Sequence, residues 1–514
     1  MNIIPKINGE FKIISNNKIS IRNLNIIDQH NLLTQETIKL INSNFFGQKP
    51  INTKFILNND NSYKIKIING QIFIETSKEL AYNALITLLN LQTDLYKDMF
   101  IEDYPKYKHR EFSIDVARHY FSVDEIKKLI DEASTLKLNK IHLHLSDNQG
   151  WRIESKKYPI LNDIGGKDGF YTTKELKDIV QYAKNRYIEI IPEIDIPGHV
   201  GAILASFPEL SCSGQNISLD KGYKTNDKIL CFGNPRTINV IKNLLDELMD
   251  IFPSKYIHIG CDELDLTHNK KCAKCKEHMI KNGFRNLNEV VTDFINQIAL
   301  YIMNNNREVI VWNDATRYGK LNEKIIVQNW FDYPLDKTNI KEFENNRRFI
   351  FGSTIHTYFD YPLALIPLKN TYNFSPKINN KDLTGQNILG ISSHIWTEVI
   401  DNNKELEEKI FPRLIAFAES AWTNKLDYND FLNRLEIYLN YLNERNIYYI
   451  SSISNDEVNE IANFFKTFLN SNGNNFSFYQ TLIGTKLILK LIKESNHLQD
   501  IPDIAIKTLS KIKK

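Results

Sequence analysis

From Arg110 onward the chain repeats one unit, a short β-rich run, a polar loop and an amphipathic helix, and that repeat confines the fold to parallel βα architectures. Glu111 to Val116 reads as the first strand of the series. Ser122 with Glu125 then forms a capping box, and Ile126, Leu129, Ile130, Ala133 and Leu136 fall on one helical stripe. The second strand is Lys140 to Leu145, and a second capping box, Thr172 with Glu175, opens the helix running towards Asn185. Further strands are read at Ile188 to Ile194, Tyr256 to Gly260, Glu308 to Trp312, Ile325 to Trp330, Phe349 to Ser353 and Ile388 to Ile395. Eight βα units over roughly 320 residues fit an eight-stranded parallel β/α (TIM) barrel with enlarged loops. An open doubly wound sheet is disfavoured, because no glycine-rich phosphate turn follows any of these strands.

The flanks differ in pattern. Residues 1–103 alternate short strands (Phe11 to Ile14, Phe55 to Leu57, Tyr63 to Ile68, Gln71 to Glu75) with Asn, Asp and Gly turns, and Thr37 to Phe46 and Lys78 to Leu91 read as helices packed on that sheet. We expect a small N-terminal α+β domain over 1–103, the barrel over 104–425 and a helical C-terminal extension over 426–514, with helices at Tyr428 to Asn443 and Phe478 to Glu494.

Composition narrows the partners. Of 514 residues, 64 are Lys or Arg and 62 Asp or Glu, so a net charge of +2 provides no basic stripe for nucleic-acid phosphates. No segment has the eighteen or so consecutive apolar residues of a membrane span, and the N-terminus has no signal-peptide pattern. Five cysteines are sparse and odd in number, which fits a reducing compartment, and a cytoplasmic protein is the expectation. Cys272 and Cys275 have zinc-knuckle spacing, but no second pair with suitable spacing follows them, so no metal and no cofactor is assigned.

A barrel of this kind gathers its active site at the C-terminal ends of its strands. The residues falling there are Asp147 and Trp151 after the second strand, Glu193, Asp195 and His199 after the third, and the adjacent acids Asp262 and Glu263 after the fourth. Trp312 and Trp330 end the fifth and sixth, Tyr358 and Asp360 follow the seventh, and Trp396 and Glu398 end the eighth. Four of the five tryptophans therefore lie at strand ends on one rim. Singly, each is more readily a core residue; as a cluster, indole faces beside carboxylates make a pocket for a pyranose. Of two adjacent acids, one kept protonated can deliver a proton to a leaving oxygen while the other stabilises positive charge.

The stretches His109 to Tyr120, His142 to Arg152, Pro192 to His199 and His258 to Glu263, with Phe411 to Leu414 and Ala418 to Trp422 closing the barrel, resemble glycoside hydrolase family 20, the β-N-acetylhexosaminidases. The resemblance covers nearly all of residues 1–425. It implies an exo-acting enzyme that releases terminal GlcNAc or GalNAc from an oligosaccharide or glycoconjugate, with retention and without an enzyme nucleophile, the substrate's acetamido oxygen attacking its own anomeric carbon. By the same resemblance Glu263 is the general acid and base, with its pKa raised by an apolar wall and by Asp262. Asp262 orients the acetamido N–H, Tyr358 binds the acetamido oxygen, and Asp147 with His199 forms a relay behind the acid. Arg110, Asp360 and Glu398 would hold the sugar hydroxyls, and Trp312, Trp330 and Trp396 would wall the pocket. Read alone, His199 is more readily a packed loop histidine, and Arg110 is equally a strand-start salt bridge. The sequence departs from the family at Cys261 and Glu111, both where Gly is usual, and at Asn148, where a second Asp is common; Cys261 is expected to tighten the pocket or sensitise it to thiol reagents. The alternatives to an enzyme are a catalytically silent amino-sugar-binding protein on the same barrel and a zinc-dependent regulator built on the cysteine pair.

Overall fold

The computed structural model describes residues 3–19, 24–43, 51–91, 96–221, 228–330, 337–363, 365–378 and 381–450. Among these residues, eight parallel strands close into a barrel in chain order: β7 His109–Asp115, β8 Lys140–His144, β9 Glu189–Glu193, β10 Tyr256–His258, β11 Glu308–Trp312, β12 Ile326–Asn329, β13 Phe349–Phe351 and β14 Ile388–Ile395, the last pairing with the first. Each corresponds to a strand read from sequence. Both capping boxes are formed: the Ser122 and Thr172 side chains accept from the Glu125 and Glu175 backbone N–H groups, and each glutamate reaches back to its cap. A cap of this kind is worth about 1 kcal/mol. Ile126, Leu129, Ile130 and Ala133 bury the stripe of helix Val123–Thr135 against the barrel.

The barrel is filled in layers. Ile191, Ile310, Ile326 and Ile350 make an apolar layer. Two residues further along their strands the interior turns polar, because side chains recur on the same face every second position. Glu193, Trp312 and Gln328 join Glu111, His142, His258 and His394 there, all buried. Glu111 bonds His109 at 2.6 Å and accepts from the Gln328 amide at 2.7 Å, so the acid standing in place of a glycine is a member of this interior network. Its carboxyl is held well below its ordinary pKa: burial opposes the charge, but bonds to His109 and His142 outweigh it.

An N-terminal sheet of six strands precedes the barrel: β1 Glu10–Ile19, β2 Leu24–Ile27, β3 Ile51–Leu57, β4 Tyr63–Ile68, β5 Gln71–Thr76 and β6 Tyr96–Asp103, in the order β1-β6-β4-β5-β3-β2. Helix Ala81–Asn90 packs on it, and helix Gln35–Asn42 flanks it. The sheet is fastened to the barrel through Trp422, at the end of helix Arg413–Trp422, whose indole N–H donates to Asp103 at 3.0 Å within the sheet's apolar core. Lys137, wholly buried, donates to Asp103 at 3.0 Å with its ammonium 4.3 Å from the Trp422 ring centroid. Of the two helices read beyond the barrel, one is Tyr428–Glu444; the stretch Phe478 to Glu494 lies outside the described residues. No helix among the described residues is long and apolar enough to cross a membrane.

Candidate active site

The acid pair follows β10 on a turn that the backbone holds in the left-handed region: φ is +65° at Gly260, +78° at Cys261 and +47° at Glu263. Side-chained residues avoid this region, and such strain clusters at working sites. Gly260 is obligatory for a second reason, since a Cβ there would lie 1.7 Å from Asp195 Oδ1. The turn thereby closes on Asp195, which accepts from the Cys261 backbone N–H at 3.1 Å. The Cys261 side chain points away from solvent, its sulfur 3.0 Å from the Ile196 carbonyl, and burial pushes its thiol pKa well up. A thiol that is buried and protonated corrects the expectation of reagent sensitivity.

Behind the acids stand His199 and Asp147, the two residues expected to form a relay. His199 Nδ1 lies 3.1 Å from Asp147 Oδ1, and its Nε2 lies 3.5 Å from Asp262 Oδ2 and 3.7 Å from Glu263 Oε2. Burial opposes protonation of His199, but Asp147 and Asp262 outweigh it and push its pKa up to about 9. Asp147 is correspondingly held well below its ordinary range: Arg118 and His199 override the burial that disfavours its charge. The series continues inward, with Asp147 Oδ2 2.8 Å from His144 and His144 bonded to Glu193 at 2.5 Å. Asn148 serves the same loop, its side-chain oxygen accepting from the Gly201 N–H at 2.9 Å.

Both acids are shifted towards their protonated forms. Glu263 is raised chiefly by burial, tempered by His199 and reinforced by Asp314. Asp262 is raised well above its usual value by burial and then by Asp195, itself raised well above its range by burial and Glu193. Asp195 and Asp262 share a hydrogen bond and so retain a proton between them, with Asp195 the more deeply buried.

Across the pocket, Tyr358 stacks near Trp330 with ring centroids 6.2 Å apart and stands 6.2 Å from Trp396, which is 6.0 Å from Trp312. Trp312 is tied by its N–H to Glu193 at 2.9 Å, and Trp330 to Asp314 at 2.6 Å. Burial and then Asp360 raise the Tyr358 hydroxyl well above its usual value. Asp360 is pushed up to about 7 by burial and by Glu398. Asp262 Oδ1, Asp360 Oδ1, Glu398 Oε2 and Arg118 Nε are buried polar atoms without a hydrogen-bond partner among the described residues. Such groups are costly to leave unpaired, and at a pocket they mark where a polar ligand binds.

Two sequence expectations are corrected. Arg110 does not reach the pocket: it is the second residue of β7, at the barrel's N-terminal end, where its guanidinium donates to the Lys137 carbonyl at 2.8 Å and the Tyr107 carbonyl at 2.8 Å and lies over Trp422. The arginine of the pocket is Arg118, just past the C-terminal end of the same strand, 2.8 Å from Asp147 and 3.8 Å from Glu398, with its guanidinium over Trp396. Strand polarity alone selects it, because only the C-terminal end of a barrel strand opens on the site. Trp151 does not join the other rim indoles; it is core, bonded to the Ile153 carbonyl at 2.6 Å. The remaining sequence candidates, Glu263, Asp262, Tyr358, Asp147, His199, Trp312, Trp330, Asp360, Trp396 and Glu398, gather around one pocket together with Arg118, Asp195 and Asp314, which sequence reasoning left without a role.

A β/α barrel whose C-terminal rim carries a partly exposed acid pair shifted towards its protonated forms, an aromatic wall and unpaired polar groups is the site of a glycoside hydrolase. Residues 107–425 match the model of the glycosyl hydrolase family 20 catalytic domain. The chain is 32% identical over 363 residues to a β-hexosaminidase of Porphyromonas gingivalis, a match covering 65% of this chain and 46% of that protein. It is 27% identical to a β-hexosaminidase of Vibrio furnissii, covering 83% of this chain and 76% of the other. Among solved structures, a family 20 exo-β-N-acetylglucosaminidase from Vibrio harveyi in complex with N-acetylglucosamine superposes with a TM-score of 0.78 at 26% identity, covering 88% of this chain and 78% of that one. A β-N-acetylhexosaminidase from Bacteroides fragilis does so at 0.77 and 26%, covering 87% and 96%. The chain belongs to glycoside hydrolase family 20.

Proposed function

We infer that this glycoside hydrolase is an exo-acting β-N-acetylhexosaminidase that removes terminal, non-reducing β-linked GlcNAc or GalNAc with retention. The observation that carries the inference is the acid pair Asp262 and Glu263 on a strained turn, with His199 3.5 and 3.7 Å away and Asp147 behind it, at the strand ends where Tyr358 packs with Trp330 and Trp396. In the first step the acetamido carbonyl oxygen attacks the anomeric carbon, the glycosidic C–O bond breaks, and Glu263 passes its proton to the departing oxygen. Asp262 accepts the acetamido N–H while Asp195 keeps the shared proton, and Tyr358 donates to the acetamido oxygen. A nucleophile already held within the substrate recovers much of the entropic cost of a bimolecular attack. In the second step the Glu263 carboxylate takes a proton from water, the water oxygen bonds to the anomeric carbon, and the oxazolinium C–O bond opens to restore the acetamide. Two inversions give net retention.

His199, cationic with a pKa of about 9, stabilises the Glu263 carboxylate left after the first step. The hydroxyls of the terminal sugar are bound by Arg118, Glu398 and Asp360, whose unpaired atoms they would satisfy. A cytoplasmic setting goes with this reading, supported by five cysteines none of which forms a disulfide.

A hydrolysis panel of aryl GlcNAc, aryl GalNAc, chitobiose and phosphorylated analogues tests the proposal. We expect release from at least one N-acetylhexosaminide and a loss of about 10²- to 10⁴-fold for Glu263→Gln on chitobiose. Undetectable release by wild type from acid to mildly alkaline pH, with binding retained, would identify an amino-sugar-binding protein instead.

A further inference from the structure

Four of the five cysteines converge in space, although they are spread over two segments of the sequence. Cys212 and Cys231 come from the long segment between β9 and β10, and Cys272 and Cys275 from the segment after the acid pair. The second pair sought after Cys275 precedes it. All four sulfurs lie within 4.8 Å of one another, with Cys231 to Cys272 at 3.7 Å, Cys231 to Cys275 at 3.7 Å and Cys212 to Cys275 at 3.8 Å.

These separations are informative. Four thiolates each about 2.3 Å from a central ion define a tetrahedron with edges of about 3.8 Å. A disulfide would bring two sulfurs to about 2 Å, and none of the cysteines is so paired. From this quartet we propose that the chain holds a structural zinc ion on Cys212, Cys231, Cys272 and Cys275, remote in role from the sugar chemistry. Four soft sulfur ligands with no open position suit a closed, redox-inert tetrahedral ion.

The surrounding backbone is built for such a site. Cys272 is the N-terminal cap of helix Ala273–Lys281 and Cys275 lies in its first turn, so the helix presents its positive end to the sulfurs. Asn269, fully buried, directs its side-chain N–H to Cys275 Sγ at 3.8 Å and to the Leu230 carbonyl at 3.0 Å, joining the two loops beside the cluster. Gly233 is forced by the same approach: a Cβ there would stand 2.1 Å from the Lys274 carbonyl carbon, within the Cys-x-x-Cys turn. Leu230 in turn donates to the Pro197 carbonyl at 3.0 Å, two residues before His199. An ion at the four sulfurs would therefore staple the loop that carries His199 to the loop that carries Glu263.

Elemental analysis of the full-length enzyme, purified without chelators or metal-affinity resin, tests the assignment. We expect about one zinc per chain, released in step with titration of the thiols by a mercurial. Replacement by cobalt(II) should give the thiolate charge-transfer and visible bands of a tetrahedral tetrathiolate. Cys231→Ser and Cys272→Ser should each lose the metal and Cys261→Ser should keep it, while chelation of zinc from wild type should lower Tm. Because the wild-type metal content alone decides the question, variants that fail to fold do not spoil the test. A wild-type chain free of zinc, one holding iron, or one whose four thiols are recovered as disulfides would each overturn the proposal.

Discussion

At the scale of single residues, the division of work between Arg118 and Arg110 is the sharpest prediction. Arg118→Ala should lower kcat/KM by about 10- to 100-fold, the size expected for lost charge-assisted hydrogen bonds, and should also lower Tm, because Asp147 loses its buried ion-pair partner. Arg110→Ala should lower Tm alone, leaving kcat/KM near wild type, since it unpairs buried carbonyls at the barrel floor. Equal kinetic losses would show that the guanidinium of Arg110 serves the sugar after all. Asp360 makes a second test through pH. Its carboxyl has a pKa of about 7 in the fold against an ordinary value of 3.8, so the unfolded chain releases this proton earlier and the group costs stability progressively as pH rises between those values. Asp360→Asn should therefore bind sugar poorly yet melt higher than wild type, with a gap in Tm that is absent below pH 4, opens towards pH 7 and is flat above it; a gap independent of pH would contradict the assignment. The acids and the three pocket indoles were legible in sequence because each ends a readable strand. Arg118 was passed over because it stands in the loop beyond the strand, and Trp151 misled because a rim position does not say whether an indole faces the pocket or the core.

At the scale of elements, the acid turn after β10 works by steric exclusion. Gly260 has both a positive φ and no room for a Cβ against Asp195, so Gly260→Ala must displace either the turn or the aspartate. A displacement of about 1 Å at a catalytic group costs on the order of 10²-fold in rate, and we expect a fall in kcat of at least that size with the circular dichroism spectrum unchanged. A variant with wild-type kcat would show that the turn does not set the acid's position. The strands and helices themselves were readable because their signals are local, an apolar stripe or a capping box within a dozen residues. The polar barrel interior was not readable: His142 and His144 both face inward with Glu193 and Glu111, and nothing local in a His-x-His run tells an inward from an outward side. The cysteine quartet escaped for a related reason, its ligands meeting only when two loops from neighbouring strands are folded against each other.

At the scale of the whole molecule, the N-terminal sheet and the barrel share a buried joint in which Trp422, Lys137 and Tyr63 meet Asp103, while the chemistry lies at the opposite end of the strands. Stability and catalysis are thus carried at separate ends of the barrel, which is why Arg110 and Arg118, eight residues apart, have unrelated duties. What unites the catalytic end is the substrate's own N-acyl oxygen as nucleophile, held between Tyr358 and Asp262. The most direct test is the hydrolysis rate of aryl β-glucosaminides whose N-acetyl group carries successively more fluorine, which weakens the carbonyl oxygen as a nucleophile while leaving the leaving group unchanged. The account predicts that kcat/KM falls steeply with each added fluorine. Rates that do not respond to fluorination, accompanied by a glycosyl ester trapped on an enzyme carboxylate, would contradict it.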